Sequence, residues 1–199
     1  MRAILFGVIV GSFLASCGGN PEPKKTKEVV EVVDSSSTQP LYPYPQYIQE
    51  QLAYIDSMPL AIEMLVYENG KRIDSTYIDR AKLASLSKAF SEPDLNKADL
   101  RSNYEEKSYQ DLTIDAVTFS ITAKDLDLPV QQADILLNPK TKKVKNIIIK
   151  KQVKTPEGSE IQNLLWVHNM NFQIISTLTK NDGTTVDKVV KVIWDRPIK

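Results

Sequence analysis

Side chains able to do bond-breaking chemistry are scarce in this sequence. His168 is the only histidine and Cys17 the only cysteine among 199 residues. A Ser-His-Asp or Cys-His site must therefore be built around His168, and no serine sits in the G-x-S-x-G turn that presents a nucleophile at a strand end. His168 precedes Asn169 in a stretch that reads as a turn, where a solvated imidazole is the ordinary occupant. One histidine and one cysteine do not make a zinc ligand set. Asp125 and Asp127, with Asp111 and Asp115, come nearest to a calcium site, but the loop spacing and its bend glycine are missing. A carboxylate pair for glycoside hydrolysis can be far apart in sequence, and nothing here singles one out. These observations point to a protein that is not an enzyme, with no catalytic residue, metal ligand or cofactor to name.

The charged feature that stands out is a lysine run. Lys140, Lys142, Lys143, Lys145, Lys150, Lys151 and Lys154 fall within fifteen residues that hold no acid. Lysines beside Ile147-Ile148-Ile149 would protect an aggregation-prone edge strand. The functional alternative is an anionic-contact surface formed by Lys142, Lys143, Lys145, Lys150 and Lys151. Trp166 and Trp194 each lie in a strand-like stretch, and Tyr42, Tyr44, Tyr47 and Tyr54 gather where the folded part begins. Such aromatics either pack a core or line an apolar groove that takes a lipid tail or peptide, with Trp166 and Trp194 as the groove candidates.

Cys17 has a different context. Arg2, the apolar stretch from Ala3 to Leu14 and the small pair Ala15-Ser16 have the layout of a secretory signal. The run is shorter than the ~20 apolar residues of a spanning helix, and polar Gly18-Gly19-Asn20 follows it. Leu14-Ala15-Ser16-Cys17 resembles the lipobox of bacterial lipoproteins. That resemblance implies that residues 1–16 are removed and that the sulfur of Cys17 carries a diacylglycerol, with a further acyl chain on its new α-amino group. A plain signal peptide with an incidental cysteine, or a free buried thiol, is the alternative. One acyl chain anchors only marginally, at about 0.8 kcal/mol per buried CH₂, so several chains are what make attachment lasting. Gly18 rather than an aspartate after the cysteine favours the outer membrane on the enterobacterial sorting pattern. The net basic GGNPEPKKTK, in place of an acidic run, favours its periplasmic face.

An acylated Cys17 leaves no thiol, so the exported domain must be stable through its core alone. The chain has 25 Lys/Arg and 25 Asp/Glu; removal of residues 1–16 takes only Arg2. Near-neutral charge provides no overall drive toward nucleic acid. Prolines at 21, 23, 40, 43 and 45 and the triplet Ser35-Ser36-Ser37 make residues 17–43 read as a flexible tether. Val29-Val30 and Val32-Val33 are its exception, able to form one helical turn or to add a strand to a sheet edge, a partner's included, with an inert spacer as the plainer reading. Residues 44–199 are long enough for one globular domain and too few for two comfortable ones.

Within that domain, Ile48, Leu52 and Ile55 form the stripe of a helix over 45–57. Asn69-Gly70 joins two β-capable runs as a hairpin. Asp79 caps a second helix carrying Leu83, Leu86 and Phe90, and residues 94–110 read as loop with a short helix near Asp99. From 117 onward alternating segments separated by turns spell an antiparallel meander. The expected class is α+β, two amphipathic helices on one face of a curved antiparallel sheet of six to eight strands.

The words DSTYID at 74–79, LLW at 164–166 and VKVIWD at 190–195 resemble small uncharacterised lipoproteins of the Bacteroidota and carry over no functional residue. The arrangement also has an architectural likeness to the half-barrels of periplasmic lipoprotein carriers and receptors, which is analogy at the level of fold. Together these readings lead us to expect a lipid-anchored, non-catalytic binding or assembly module of the bacterial envelope. Its expected contacts are the membrane through Cys17 and an envelope protein or lipid. A lipid- or lipoprotein-handling protein, or an envelope hydrolase, is the alternative.

Overall fold

A computed structural model describes residues 30–34, as backbone, and 39–194. Three helices and ten strands follow one another as β1 (Val30–Asp34), α1 (Tyr44–Ser57), β2 (Glu63–Glu68), β3 (Lys71–Tyr77), α2 (Arg80–Ser91), α3 (Ala98–Arg101), β4 (Tyr104–Asp111), β5 (Ala116–Ala123), β6 (Val130–Leu137), β7 (Val144–Thr155), β8 (Gly158–Val167), β9 (Asn171–Lys180) and β10 (Thr185–Ile193). All strands join one antiparallel sheet in the order β1-β4-β5-β6-β7-β8-β9-β10-β2-β3. The sheet is open. α2 and α3 carry the chain from one edge to the other, and the meander β4–β10 returns it to β2.

The sheet-dominated α+β class is as expected, but ten strands exceed the six to eight read from sequence. One of the two extra strands is β4, YEEKSYQD, which has no apolar alternation to announce it. The other is β1, drawn from the stretch expected to be tether, which pairs with β4 through Val30, Glu31 and Asp34. The folded part also begins before residue 44. Leu41 is buried, and Asn96 clamps its backbone, accepting from Leu41 N at 2.7 Å and donating to Leu41 O at 3.2 Å.

Strand register explains where the core lies. Side chains of residues directly opposite one another share a face. One such row runs Phe119, Ile135, Ile147, Trp166, Phe172, Val192, Met64 across seven strands. A second, two residues along, runs Ile121, Ala133, Ile149, Leu164, Ile174, Val190, Val66. Both rows point at the helices. α1 meets them with Ile48 and Ile55; α2 meets them with Leu83 and Phe90. Asp79 holds the first turn of α2 by accepting from Lys82 N at 2.7 Å, as its position before the apolar stripe implied.

The tightest packing is aromatic. Phe90 of α2 meets Trp166 edge-on at 5.2 Å between ring centroids and lies 5.2 Å from Phe172. Trp166 stacks on Phe172 at 5.2 Å and reaches Trp194 at 5.4 Å. Trp166 and Phe172 are wholly enclosed. Among the described residues no helix lies on the other face of the sheet, and Ile148, Ile161 and Ile175 there are each 41–46 % exposed.

Turns segregate to two ends. The end at which the chain enters β1, beside Gln110, carries the β4–β5, β6–β7 and β8–β9 turns. The far end carries the β2–β3, β5–β6, β7–β8 and β9–β10 turns. Asn69 and Gly70 both take positive φ in the β2–β3 turn, as the Asn-Gly pair requires.

Trp166→Ala leaves a cavity at the centre of this cluster and is expected to cost about 3–5 kcal/mol. Ile148→Ala on the open face, already half-exposed, is expected to cost about 1 kcal/mol or less. Chemical denaturation of the two variants measures the contrast; similar losses would contradict the sidedness of the sheet.

Candidate functional site

Residues singled out in the sequence separate in space. Cys17 lies outside the described residues. Trp166 and Trp194 sit under α2 with no more than 1 % of their surface exposed. A lipid tail or peptide reaching them must first displace Phe90 or Phe172.

The lysine run does not flank an edge. β7 is fifth of the ten strands, hydrogen-bonded to β6 on one side and β8 on the other. Edge protection is therefore not its role. The reason is topological: the crossover through α2 and α3 starts the meander at the opposite edge, so the middle of the meander becomes the middle of the sheet.

Nor do the five candidate lysines form one surface. Lys150 projects from the open face, whereas Lys151, one residue on, follows Ile147 and Ile149 onto the helix-covered face and is buried. Its Nζ donates to Ala89 O at 3.0 Å and to Glu92 O at 2.7 Å. Those carbonyls belong to the last turn and cap of α2, where a helix has acceptors with no partner of its own and the negative end of its dipole. Lys151 thus fastens α2 to β7 from inside and is withdrawn from the anionic-contact surface proposed from sequence. Burial pushes its pKa below the usual lysine value, partly offset by Glu92. A shallow open depression beside it is lined by Lys88, Glu92, Pro93 and Lys97.

Lys142 and Lys143 stay together with Lys140 on the β6–β7 turn, and Lys145 follows at the start of β7. Asn138 shapes this turn by accepting from Lys140 N at 2.9 Å and Thr141 N at 3.0 Å, and Lys142 takes positive φ. Lys140, Lys142 and Lys143 are exposed. Lys145 Nζ reaches over to the β4–β5 turn and donates to Ile114 O at 3.2 Å.

His168 is not a free loop imidazole. Its Nδ1 lies 2.6 Å from the phenolic oxygen of Tyr47 on α1. Burial raises the Tyr47 pKa, with Tyr42 and Glu50 adding to the effect; burial and the Lys143 charge lower that of His168. The phenol is therefore protonated and the imidazole neutral at pH 7, and the ring tautomer sets which of the two donates. Next to it Asn169 N donates to Gln51 Oε1 at 3.0 Å. These two bonds lock α1 onto the β8–β9 turn. Tyr47 and Gln51 lie one helical turn apart, a spacing visible in sequence, but their partners are some 120 residues away and carry no local signal.

A second polar junction lies at the start of the domain. Arg101 donates from Nε to Gln39 O at 2.6 Å and from Nη1 to Tyr104 O at 2.9 Å. Glu106 on β4 points inward and accepts from Tyr42 N at 2.6 Å. Burial raises the Glu106 pKa, and the Tyr42 N–H and the Arg101 charge pull it back. Asp125 and Asp111 are used locally: Asp125 accepts from Asp127 N at 2.9 Å and Asp111 from Thr113 N at 2.8 Å. Among the described residues no group of three His, Cys, Asp or Glu could hold a metal ion, and no helix is long and apolar enough to cross a membrane.

Against known proteins, the chain matches no protein-family model, no curated protein and no solved structure.

Two outcomes follow. Lys151→Met keeps the stem but strips two part-buried carbonyls of their donor, which is expected to cost about 1–3 kcal/mol; Lys150→Met on the open face is expected to change stability by about 0.5 kcal/mol or less. Equal effects in urea melts would refute the internal role of Lys151. A folded-state pKa below the free value of His168 means that the unfolded chain binds more protons between the two values, so stability falls as pH drops below about 6.5. His168→Gln is expected to remove that part of the slope, read from denaturation midpoints between pH 7.5 and 5.

Proposed function

We propose that this protein is a lipid-anchored, non-catalytic envelope lipoprotein that works as a binding or assembly module, on the periplasmic side of the outer membrane. The observation that carries the reading is Leu14-Ala15-Ser16-Cys17 after a single arginine and a short apolar run, with that cysteine the only thiol in the chain. An acyl-bearing sulfur at the start of the mature chain accounts for the position of the one cysteine, which a folded core or a disulfide does not. The fold is consistent with a module stable in an oxidising compartment without a disulfide, because two apolar rows and an aromatic cluster supply a continuous core.

The surfaces open to a partner are then the uncovered sheet face and the β3 edge. All seven residues of β3 are exposed. Lys71, Arg72 and Asp74 with the bulge around Ile73 guard this edge against indiscriminate pairing, which leaves side-chain recognition as the means of choosing a partner. Binding within the core is disfavoured by the tight packing of Trp166 and Trp194.

Cys17→Ser tests the anchor. The wild-type chain is expected to partition into the detergent phase and pellet with envelopes, and the variant to appear in the soluble envelope fraction. A variant that still pellets would overturn the anchor. Proteinase added to intact cells is expected to spare the wild-type protein, and rapid loss would overturn the inward-facing orientation.

A further inference from the structure

We infer that the β4–β5 and β6–β7 turns form a docking surface for the anionic phospholipid bilayer that holds the protein's own anchor, so that the domain stands on the membrane with this end of its sheet down. The inference rests on the anchor reading above and adds an orientation to it.

Three observations converge. The first is where the anchored segment meets the fold. β1 runs antiparallel to β4 with Val30 opposite Gln110, so the chain enters the sheet next to the β4–β5 turn. Cys17 precedes Val30 by thirteen residues. Thirteen residues reach at most about 45 Å. The ten-to-twelve-residue strands of this sheet are about 35 Å long at roughly 3.3 Å per residue. An anchored bilayer is therefore within reach of the entry end at any extension of those residues, and within reach of the far end only when they run nearly straight alongside the sheet.

The second is charge. Lys140, Lys142 and Lys143 lie on the β6–β7 turn with Lys145 at the start of β7, and the acids beside them are Asp115 on the β4–β5 turn and Asp111 at the end of β4. Asp111 is engaged by the Thr113 N–H and hydroxyl. Lys145 bridges the turns by donating to Ile114 O, so the cations and the neighbouring hairpin move as one surface. The third is apolar exposure at the same place: Leu112 and Ile114, on the tip of the β4–β5 turn, are 59 % and 49 % exposed. Two large aliphatic side chains beside a lysine cluster suit a membrane interface, where the apolar groups enter the headgroup region and each nearby lysine strengthens attraction to anionic lipid.

The test uses the full-length protein purified from membranes and reconstituted into vesicles of neutral lipid with or without anionic phospholipid. Acylated Cys17 takes up no maleimide, so Ile114→Cys and Glu157→Cys each add a single labelling site, at the two ends of the sheet. With anionic vesicles carrying brominated lipid, the probe at Ile114 is expected to be quenched at least about twofold more than the probe at Glu157, since interfacial groups sit about 5–10 Å into the boundary. Reversing Lys142 and Lys143 to glutamate is expected to weaken that docking about tenfold or more, as does high salt. Equal quenching at both ends, or none at Ile114 in a vesicle-bound protein, overturns the docking and leaves the anchor standing. Labelling of the wild-type chain at Cys17 overturns the anchor; if Ile114 is still preferentially quenched in that case, docking survives without it. A chain that never joins the vesicles overturns both.

Discussion

The structure depends on the closure of Phe90 over Trp166 and Phe172. An antiparallel sheet commonly packs one face against a core and leaves the other solvated, and this sheet presents two continuous apolar rows on one face. α2 covers part of that face, and Phe90 is where helix and sheet interlock. With one cysteine in the whole sequence, the domain cannot add a disulfide to limit its unfolded state, so stability must come from burial of this kind. Large rings suit the task because each removes much apolar surface for few rotatable bonds.

Burial alone does not fix where a helix sits on a broad apolar face. Polar contacts of great sequence separation do that here. Lys151 takes the carbonyls at the end of α2, Tyr47 and Gln51 take the β8–β9 turn, and Asn96 and Arg101 take the backbone of Leu41 and Gln39. Each contact satisfies a backbone or side-chain group that would be costly to bury alone. The apolar rows decide that the helices lie on this face; the polar contacts decide their register along it.

How much of this could be read in advance varies with how local the cause is. Asn69-Gly70 and Asp79 act within four residues of themselves, and the hairpin and helix start they announce are found where the sequence puts them. The meander was legible because each strand alternates, whereas β4 was not. Its inward positions include Tyr104, Glu106 and Ser108, and Glu106 is tolerated there because the Tyr42 N–H, 64 residues away, meets it. Lys151 carried a usable signal that a reading by composition passes over: counted in twos from Ile147 and Ile149, it belongs inside. Treating the run as one basic patch merged residues that strand alternation sends to opposite faces. The central place of β7 has no local cause, since it depends on which edge the α2–α3 crossover reaches.

The same topology makes the two ends of the sheet unequal. In a meander, hairpin turns alternate between ends, so clustering charge on one turn polarises the domain along its strands without changing its net charge. The β6–β7 turn holds Lys140, Lys142 and Lys143, while the two turns next to it along the far end hold Asp125, Asp127 and Glu157 against Lys124, with Lys154 paired to Asp127. Near-zero charge over the whole chain therefore describes a balance between separated groups. For a tethered molecule such an arrangement matters more than the sum, because the tether already fixes the distance to the surface and only orientation is left to choose. Orientation responds to fields that differ between the two ends, and these decay over about 8–10 Å at ordinary ionic strength. Strands of about 35 Å are several such lengths, so the end nearer a charged surface feels it and the other does not. On the anchored reading proposed above, a difference of a few lysines is then enough to set which surfaces of the sheet face away from the membrane and remain open to a partner.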